Sequence, residues 1–184
     1  MMTITALPFE PAMILLLPSV ATILGIGAFG HLVNDLFDIS EDRAAGKFNR
    51  MAQIGLAQRF VWLVASLVIA LFPWLFLPAD IYSYLLLAVE FALLIVYAMP
   101  PLRLKRSLVG AILIDGAYAY AVPAVLAAYT FILATSSTSM TNFIAALFVW
   151  QLAYGCRHYL DHLAIDRPND LKSNNRTLAT VKGN

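Results

Sequence analysis

The chain has 184 residues, of which 61% are hydrophobic and only 12% are charged, and its formal net charge at pH 7 is +1. Soluble domains are nearer half apolar and a quarter charged, so this composition and a mean hydropathy of +0.77 exclude an ordinary soluble protein and indicate a polytopic membrane protein. The lone cysteine, Cys156, excludes an intrachain disulfide.

Five apolar runs follow one another along the chain, and each is close to the ~20 residues that a helix needs to cross a bilayer. The sequence therefore predicts an all-α fold, a single membrane domain (1–184) built as a bundle of about five transmembrane helices. The predicted spans are residues 11–33, 60–77, 81–98, 108–134 and 141–160. The predicted loops between and after them that carry motifs are residues 34–59, 99–107 and 161–184.

Basic residues alternate between the two ends of these predicted spans. Residues 34–59, 99–107 and 161–184 all contain lysine and arginine, whereas residues 78–80 and 135–141 contain neither. Because cytoplasmic loops carry the excess of basic residues, this pattern places the three motif loops on the cytoplasmic side and the N-terminus outside. In a bacterium the protein would lie in the inner membrane, in contact with lipid, and we expect no nucleic-acid partner.

Acidic residues cluster on the same predicted face. Asp35, Asp38 and Asp42 fall within about 60° of arc if their segment is helical. A second cluster follows the last apolar run and consists of Asp161, Asp166 and Asp170. Carboxylates this close repel one another unless a cation binds between them, and Mg²⁺ prefers oxygen ligands. The neighbouring bases suit a ligand that brings negative charge, such as a diphosphate with a hydrocarbon tail.

Three motifs in this order resemble a known family. Residues 34–42 read N-D-L-F-D-I-S-E-D and fit the pattern NDxxDxxxD, while Asp166 and Asp170 fit DxxxD. Between them, residues 97–105 read Y-A-M-P-P-L-R-L-K, a tyrosine, a double proline and a lysine. With these motifs the chain resembles the UbiA-type membrane prenyltransferases.

The resemblance implies an all-helical fold around a cavity open to lipid. It also implies a transferase that moves a prenyl group from a polyprenyl diphosphate to a lipophilic, aromatic acceptor of the quinone or pigment type, with Mg²⁺ as cofactor. The catalytic and metal-binding residues implied by the motifs are Asp35, Asp38, Asp42, Asp166 and Asp170. The expected substrate-binding residues are Asn34, Lys47, Arg50, Arg103 and Lys105.

Two departures from the family pattern lead to further expectations. The family has about nine spans and this chain offers five, which predicts a fragment, or a reduced relative that needs another subunit or the missing spans. Pro168 lies between Asp166 and Asp170. Because proline disfavours helical geometry in the residue before it, we expect these two aspartates not to share a simple helical face.

Other interpretations remain open at this stage. The chain could be a transporter of divalent cations, or a non-catalytic remnant or partner subunit. Asp115, inside the fourth run, is equally well explained as a functional carboxylate or as a hydrogen-bonding one. Glu90 is expected to be a hydrogen-bonded structural carboxyl. His162, four residues before Asp166, could orient that aspartate, but an ordinary interfacial histidine is favoured. Packing is favoured over a role in a cavity for Tyr118, Tyr120, Tyr129 and Tyr154.

Overall fold

The computed structural model describes residues 9–135, 140–172 and 180, and helices form almost all of this part of the chain, which contains no β-strand. This confirms the predicted all-α class. The helices are α1 (Phe9–Ala44), α2 (Leu56–Leu71), α3 (Ile81–Ala98), α4 (Gly110–Gly116), α5 (Val122–Ala134) and α6 (Thr141–Lys172).

Short irregular turns join or extend these helices. Single turns of 3₁₀-helix lie at Met51–Gln53, Phe72–Leu75 and Leu104–Arg106. A π-helical turn, Ala117–Ala121, links α4 to α5, so that the two helices form one rod with a widened turn in its middle. Such π-bulges occur often at functional sites because they redirect side chains locally.

Four helical segments of the described chain are long and apolar enough to cross a membrane, namely Glu10–Ala44, Leu56–Leu75, Ile81–Ala98 and Gly110–Ala134. Large apolar side chains such as Leu17, Phe60 and Trp150 also point outward from the bundle, as expected for a surface that faces lipid. The helix α6 covers the predicted fifth span but is not among the four, since it includes polar residues such as Gln151 and Arg157. The fifth crossing therefore stays a prediction.

The first helix is longer than its predicted span. It continues from residue 33 to Ala44, so residues 34–42 lie on a helix and not in a loop. It ends where Gly46 takes a positive φ of 66°, with the backbone NH of Lys47 bonded to the carbonyl of Asp42 at 2.8 Å. This is the Schellman ending that glycine allows, because it has no Cβ to oppose the left-handed conformation.

The expectation about Pro168 was wrong. The α6 helix continues through this proline to Lys172, although the ring removes one backbone hydrogen bond. The backbones of Asp166 and Asp170 therefore lie about one turn apart on the same helix. The side chain of Asp170 is outside the described residues.

Glycines set the closest helix contacts in the bundle. A Cβ added at Gly25 on α1 would lie 2.7 Å from the Cα of Ala70 on α2. Likewise, a Cβ at Gly155 on α6 would lie 2.7 Å from the Cα of Gly116 on α4. Helices can approach this closely only where both surfaces are small. These contacts fix α1 against α2 and α6 against α4.

We predict that Gly25→Ala destabilises the protein, whereas Gly27→Ala does not. The added methyl at position 25 meets the α2 backbone, and overpacking of this kind costs roughly 1–3 kcal/mol. A Cβ at Gly27, two residues away on the same helix, meets nothing within 4 Å. Both changes improve helix propensity by about 1 kcal/mol, so their difference isolates the clash. Thermal unfolding in detergent measures it, and equal melting temperatures would contradict the close α1–α2 contact.

Candidate functional site

A cavity of about 850 Å³ lies between α1, α3, the α4–α5 rod and α6. Its polar lining comes from four different elements and includes Asn34, Tyr97, Asp115 and Asp166. Asn34 opens the first acidic motif and Asp166 opens the second, so the fold brings the beginnings of both motifs to one cavity. Apolar residues of α1, α3 and α6 form much of the remaining wall.

The second motif faces this cavity together with two histidines of α6. The Nε2 atom of His162 lies 3.3 Å from an Oδ2 oxygen of Asp166, one helical turn away. His158 and His162 both line the cavity. The contact agrees with the alternative that His162 orients Asp166, which its spacing of four residues had suggested.

The first motif is bound by the basic loop, residues 99–107, through Asp38. The Lys105 ammonium lies 2.5 Å from an Asp38 oxygen and donates to the side-chain oxygen of Asn34 at 2.8 Å. The Arg103 guanidinium contacts the other Asp38 oxygen at 2.5 Å. Asn34 also donates to Asp38 at 3.0 Å, which completes a network of two cations, one amide and one carboxylate.

Arg103 reaches this network from a strained backbone position. Its φ of 38° and ψ of 57° are left-handed, a conformation that costs a residue with a Cβ roughly 1–2 kcal/mol. In return its guanidinium also binds Glu41 at 2.5 Å and the carbonyl of Phe37 at 3.3 Å. Glu41 was missed by the sequence analysis, and its position three residues after Asp38 on the same helical face was the signal for it.

The electrostatic environments of the two cations differ. Burial lowers the pKa of the Lys105 ammonium below its usual value, and the hydrogen bond to Asp38 offsets this only in part. Burial acts in the same direction on Arg103, but the hydrogen bonds and charges of Asp38 and Glu41 outweigh it and raise the pKa of the guanidinium. Arg103 is therefore held firmly as a cation, while Lys105 carries its charge at a larger desolvation cost.

Asp42, one turn after Asp38 on the same helix, is bound by Asn49, which the sequence analysis did not single out. The Asn49 side chain is only 3% exposed and donates at 2.7 Å both to an Asp42 oxygen and to the carbonyl of Asp35. Its own oxygen accepts from the backbone NH of Ala52 at 3.0 Å. One asparagine thus ties the loop after α1 back onto the first motif, and a lone asparagine in a loop gives no sequence signal of that role.

The other predicted site residues are less tightly held. Arg50 is exposed and exerts the largest charge effect on Asp35, and Lys47 is exposed in the same loop. Within residues 9–135, 140–172 and 180, no three His, Cys, Asp or Glu side chains are gathered so that they could hold a metal ion. Asp38, Asp42 and Asp166 instead have separate partners, namely Lys105 with Arg103, Asn49 and His162. Their oxygen donors still match the chemistry that Mg²⁺ prefers.

A sequence model of the UbiA prenyltransferase family matches residues 2–184, which is nearly the whole chain. The chain belongs to the UbiA prenyltransferase family. This confirms the resemblance drawn from the motifs, and it supports prenyl transfer as the general activity. No match was found among curated proteins or among solved structures.

In this UbiA-family chain, aromatic rings line the cavity below the motifs. The rings of Tyr97 and Tyr118 meet edge to face with centroids 5.1 Å apart, and the Tyr118 hydroxyl donates to Asp115 at 2.7 Å. Tyr118 and Tyr120 pack against other rings, as expected, and both also line the cavity. By contrast, Tyr129 donates to Asp80 at 2.6 Å, outside this cavity.

We predict that Lys105→Met lowers stability by roughly 1–3 kcal/mol, because it removes one donor from the largely buried carboxylate of Asp38. The matched control is Arg106→Met in the same UbiA-family loop. Arg106 is 64% exposed and pairs with the half-exposed Glu41, and exposed ion pairs contribute about 0–1 kcal/mol. Thermal unfolding of both variants in detergent makes the comparison. A control as unstable as Lys105→Met would show that the network does not dock the loop.

Proposed function

We propose that this protein transfers the prenyl group of a polyprenyl diphosphate to a lipophilic aromatic acceptor, with Mg²⁺ as cofactor. The observation that carries the proposal is that Asn34 of the first motif and Asp166 of the second line the same large cavity. A polar end with acidic and basic groups suits a diphosphate, and an apolar and aromatic interior suits its hydrocarbon chain and the acceptor.

In this proposal the basic residues near the first motif bind the diphosphate. Lys105 and Arg103 already meet Asp38 at this end of the cavity, and the exposed Lys47 and Arg50 follow the same helix. For Asp38 to serve as a metal ligand, Lys105 and Arg103 must turn from it toward another anion, and the diphosphate is such an anion. Their charge then stabilises the leaving group as negative charge develops on it.

The carboxylates that would hold Mg²⁺ are Asp35, Asp38, Asp42, Asp166 and Asp170. When bound, the ion would supply positive charge that offsets the negative charge developing on the diphosphate leaving group. The chemistry of these residues fits Mg²⁺, because all five are carboxylates. They lie on the two helices α1 and α6 that border the cavity, and Asn34 adds an amide oxygen.

Side chains of the cavity wall serve the later steps, in which the prenyl group is transferred and a proton is removed. The bond between the prenyl C1 and the diphosphate oxygen breaks, a bond from C1 to a ring carbon of the acceptor forms, and a ring proton leaves. The faces and edges of Tyr97 and Tyr118 lie where an allylic cation would be shielded from water by aromatic rings. Asp115, which accepts a hydrogen bond from Tyr118, is a base within the same cavity that can take the proton.

We predict that Asp38→Ala and Asp166→Ala each reduce prenyl transfer by roughly 100-fold, as expected when one electrostatic group of such a site is removed. The assay uses membranes that contain the protein, labelled geranyl diphosphate, Mg²⁺ and a panel of hydroxylated aromatic acceptors. Asp161→Ala is the matched control, because Asp161 is exposed on α6 and pairs with Arg157 at 3.7 Å.

Equal product from wild type and both variants would contradict the assignment of Asp38 and Asp166. Loss of activity in Asp161→Ala as well would indicate a general effect on α6 and not a role of the motif. Chelation of Mg²⁺ should abolish transfer in the wild type, and activity that survives it would remove the ion from the proposal.

A second function is favoured by one observation. Glu90 and Asp115 lie in the wall of the cavity between the motif end and the middle of the bundle, as a path for divalent cations would require. Flux of Mg²⁺ into proteoliposomes that is unaffected by geranyl diphosphate would support transport instead of transfer.

The position of this face in the cell follows from loop charge. We propose that the ends of α1 and α3 and the C-terminal end of α6 face the cytoplasm, because the loops at these ends are the basic ones. We also propose that another subunit or further spans complete the cavity around the substrate, as the smaller number of spans than in the family suggests. Activity of the purified chain alone would exclude that requirement.

A further inference from the structure

Glu90 is the most unusual side chain of the bundle. It lies on α3 about two turns before Tyr97, is 0% exposed, and forms part of the wall of the large cavity. Within the part of the chain that the structure describes, neither of its carboxyl oxygens has a hydrogen-bond partner. The expectation of a hydrogen-bonded structural carboxyl was therefore wrong.

A carboxyl in this position is costly to the folded protein. Buried polar groups are normally hydrogen-bonded, and an ionisable group inside a membrane segment is expensive unless a partner compensates it. An apolar residue of similar size would pack here without that cost. Glu90 borders the cavity, but its carboxyl is fully buried, so a partner that enters the cavity can reach it only if the side chain rotates toward the cavity.

The neighbouring helix leaves room for such a partner. Phe29 packs on Phe91, and a Cβ at Gly30 would meet Leu94, so α1 and α3 run side by side in the same direction. One turn earlier on each helix, Gly27 lies at the level of Glu90. Gly27 also lines the cavity, and a Cβ there would meet nothing within 4 Å.

The position of Glu90 also restricts the chemistry of its ligand. Seven residues separate Glu90 from Tyr97, and seven separate Gly27 from Asn34, a rise of about 10 Å in each case. A diphosphate at the motif end is too far away and would be repelled by a carboxylate, and a hydrocarbon chain has no polar hydrogen to offer. A neutral hydroxyl or amino group deep in the cavity would be bound, because a carboxyl accepts hydrogen bonds in either protonation state.

We propose that Glu90 binds the acceptor substrate by accepting a hydrogen bond from a hydroxyl or amino group, and so selects acceptors that carry such a group about 10 Å from the diphosphate site. This inference rests on the proposed transferase function only in identifying the ligand of Glu90 as the acceptor substrate. The binding site itself depends only on Glu90 and the cavity.

The test uses the full chain in lipid nanodiscs and two probes of nearly the same shape, 1-naphthol and 1-methylnaphthalene. Empty nanodiscs correct for partition into lipid. The wild type should bind the naphthol about tenfold more tightly than the hydrocarbon, since a site built for a polar hydrogen rejects an analogue without it. Glu90→Leu should abolish this preference, and Glu90→Gln, which keeps an acceptor oxygen, should retain part of it. Gly27→Leu, which fills the space opposite Glu90, should weaken binding of both probes.

A wild type without preference for the naphthol would overturn the proposal, as would a preference that survives Glu90→Leu. Stability gives a second criterion, because removing an unpartnered carboxyl should leave the melting temperature of the free protein unchanged or higher. A fall in melting temperature would reveal a structural hydrogen bond and contradict the proposal.

Binding of geranyl diphosphate with Mg²⁺ separates this inference from the proposed function. It should be unchanged in Glu90→Leu, because Glu90 lies away from the motif end. If the wild type itself fails to bind geranyl diphosphate, the transferase proposal fails, whereas a naphthol preference that depends on Glu90 would still establish the polar site.

Discussion

The docking of the basic loop onto the end of α1 is the interaction on which the rest of the site depends. Asp38 and Glu41 project from one face of α1, and Arg103 and Lys105 meet them from a loop more than 60 residues later in the chain. The pairs fix where α3 ends and α4 begins relative to the first motif. These ion pairs also occupy the carboxylate of Asp38. In the proposed reaction this carboxylate has to release Arg103 and Lys105 and bind Mg²⁺. Without substrate, the negative charges of Asp38 and Glu41 are thus neutralised by the protein's own cations.

The sequence predicted the class of fold and most of its helices, because apolar runs and turn residues are local signals. The third span has the same bounds as α3, residues 81–98. The end of α1 was misplaced because the charged residues after position 33 resemble a loop, whereas their spacing also suits a helix. Pro168 gave the opposite error, since its local preference is overridden within a long helix packed against α4.

The site could be predicted only in part from the sequence. Motif spacing identified Asp35, Asp38 and Asp42 as a group, but their different partners depend on two loops whose folding is not a local property. The role of Asn49 and the left-handed backbone of Arg103 arise from contacts across 7 to 66 residues of chain. Glu90 was visible as a carboxyl in an apolar run. Its lack of a hydrogen-bond partner among the described residues became apparent only when the neighbouring helices were in place.

The contact between Gly116 and Gly155 has a consequence for the geometry of the second motif. Eleven residues, about 16 Å of helix, separate Gly155 from Asp166, and α6 is a continuous helix over that length. Since each residue turns a helix by about 100°, a slip of one position at the glycine contact would rotate Asp166 out of the cavity without altering any residue of the motif. The glycine pair therefore determines the rotation of α6 about its axis, and with it the direction in which the second motif faces. It does so from a position three turns away from that motif.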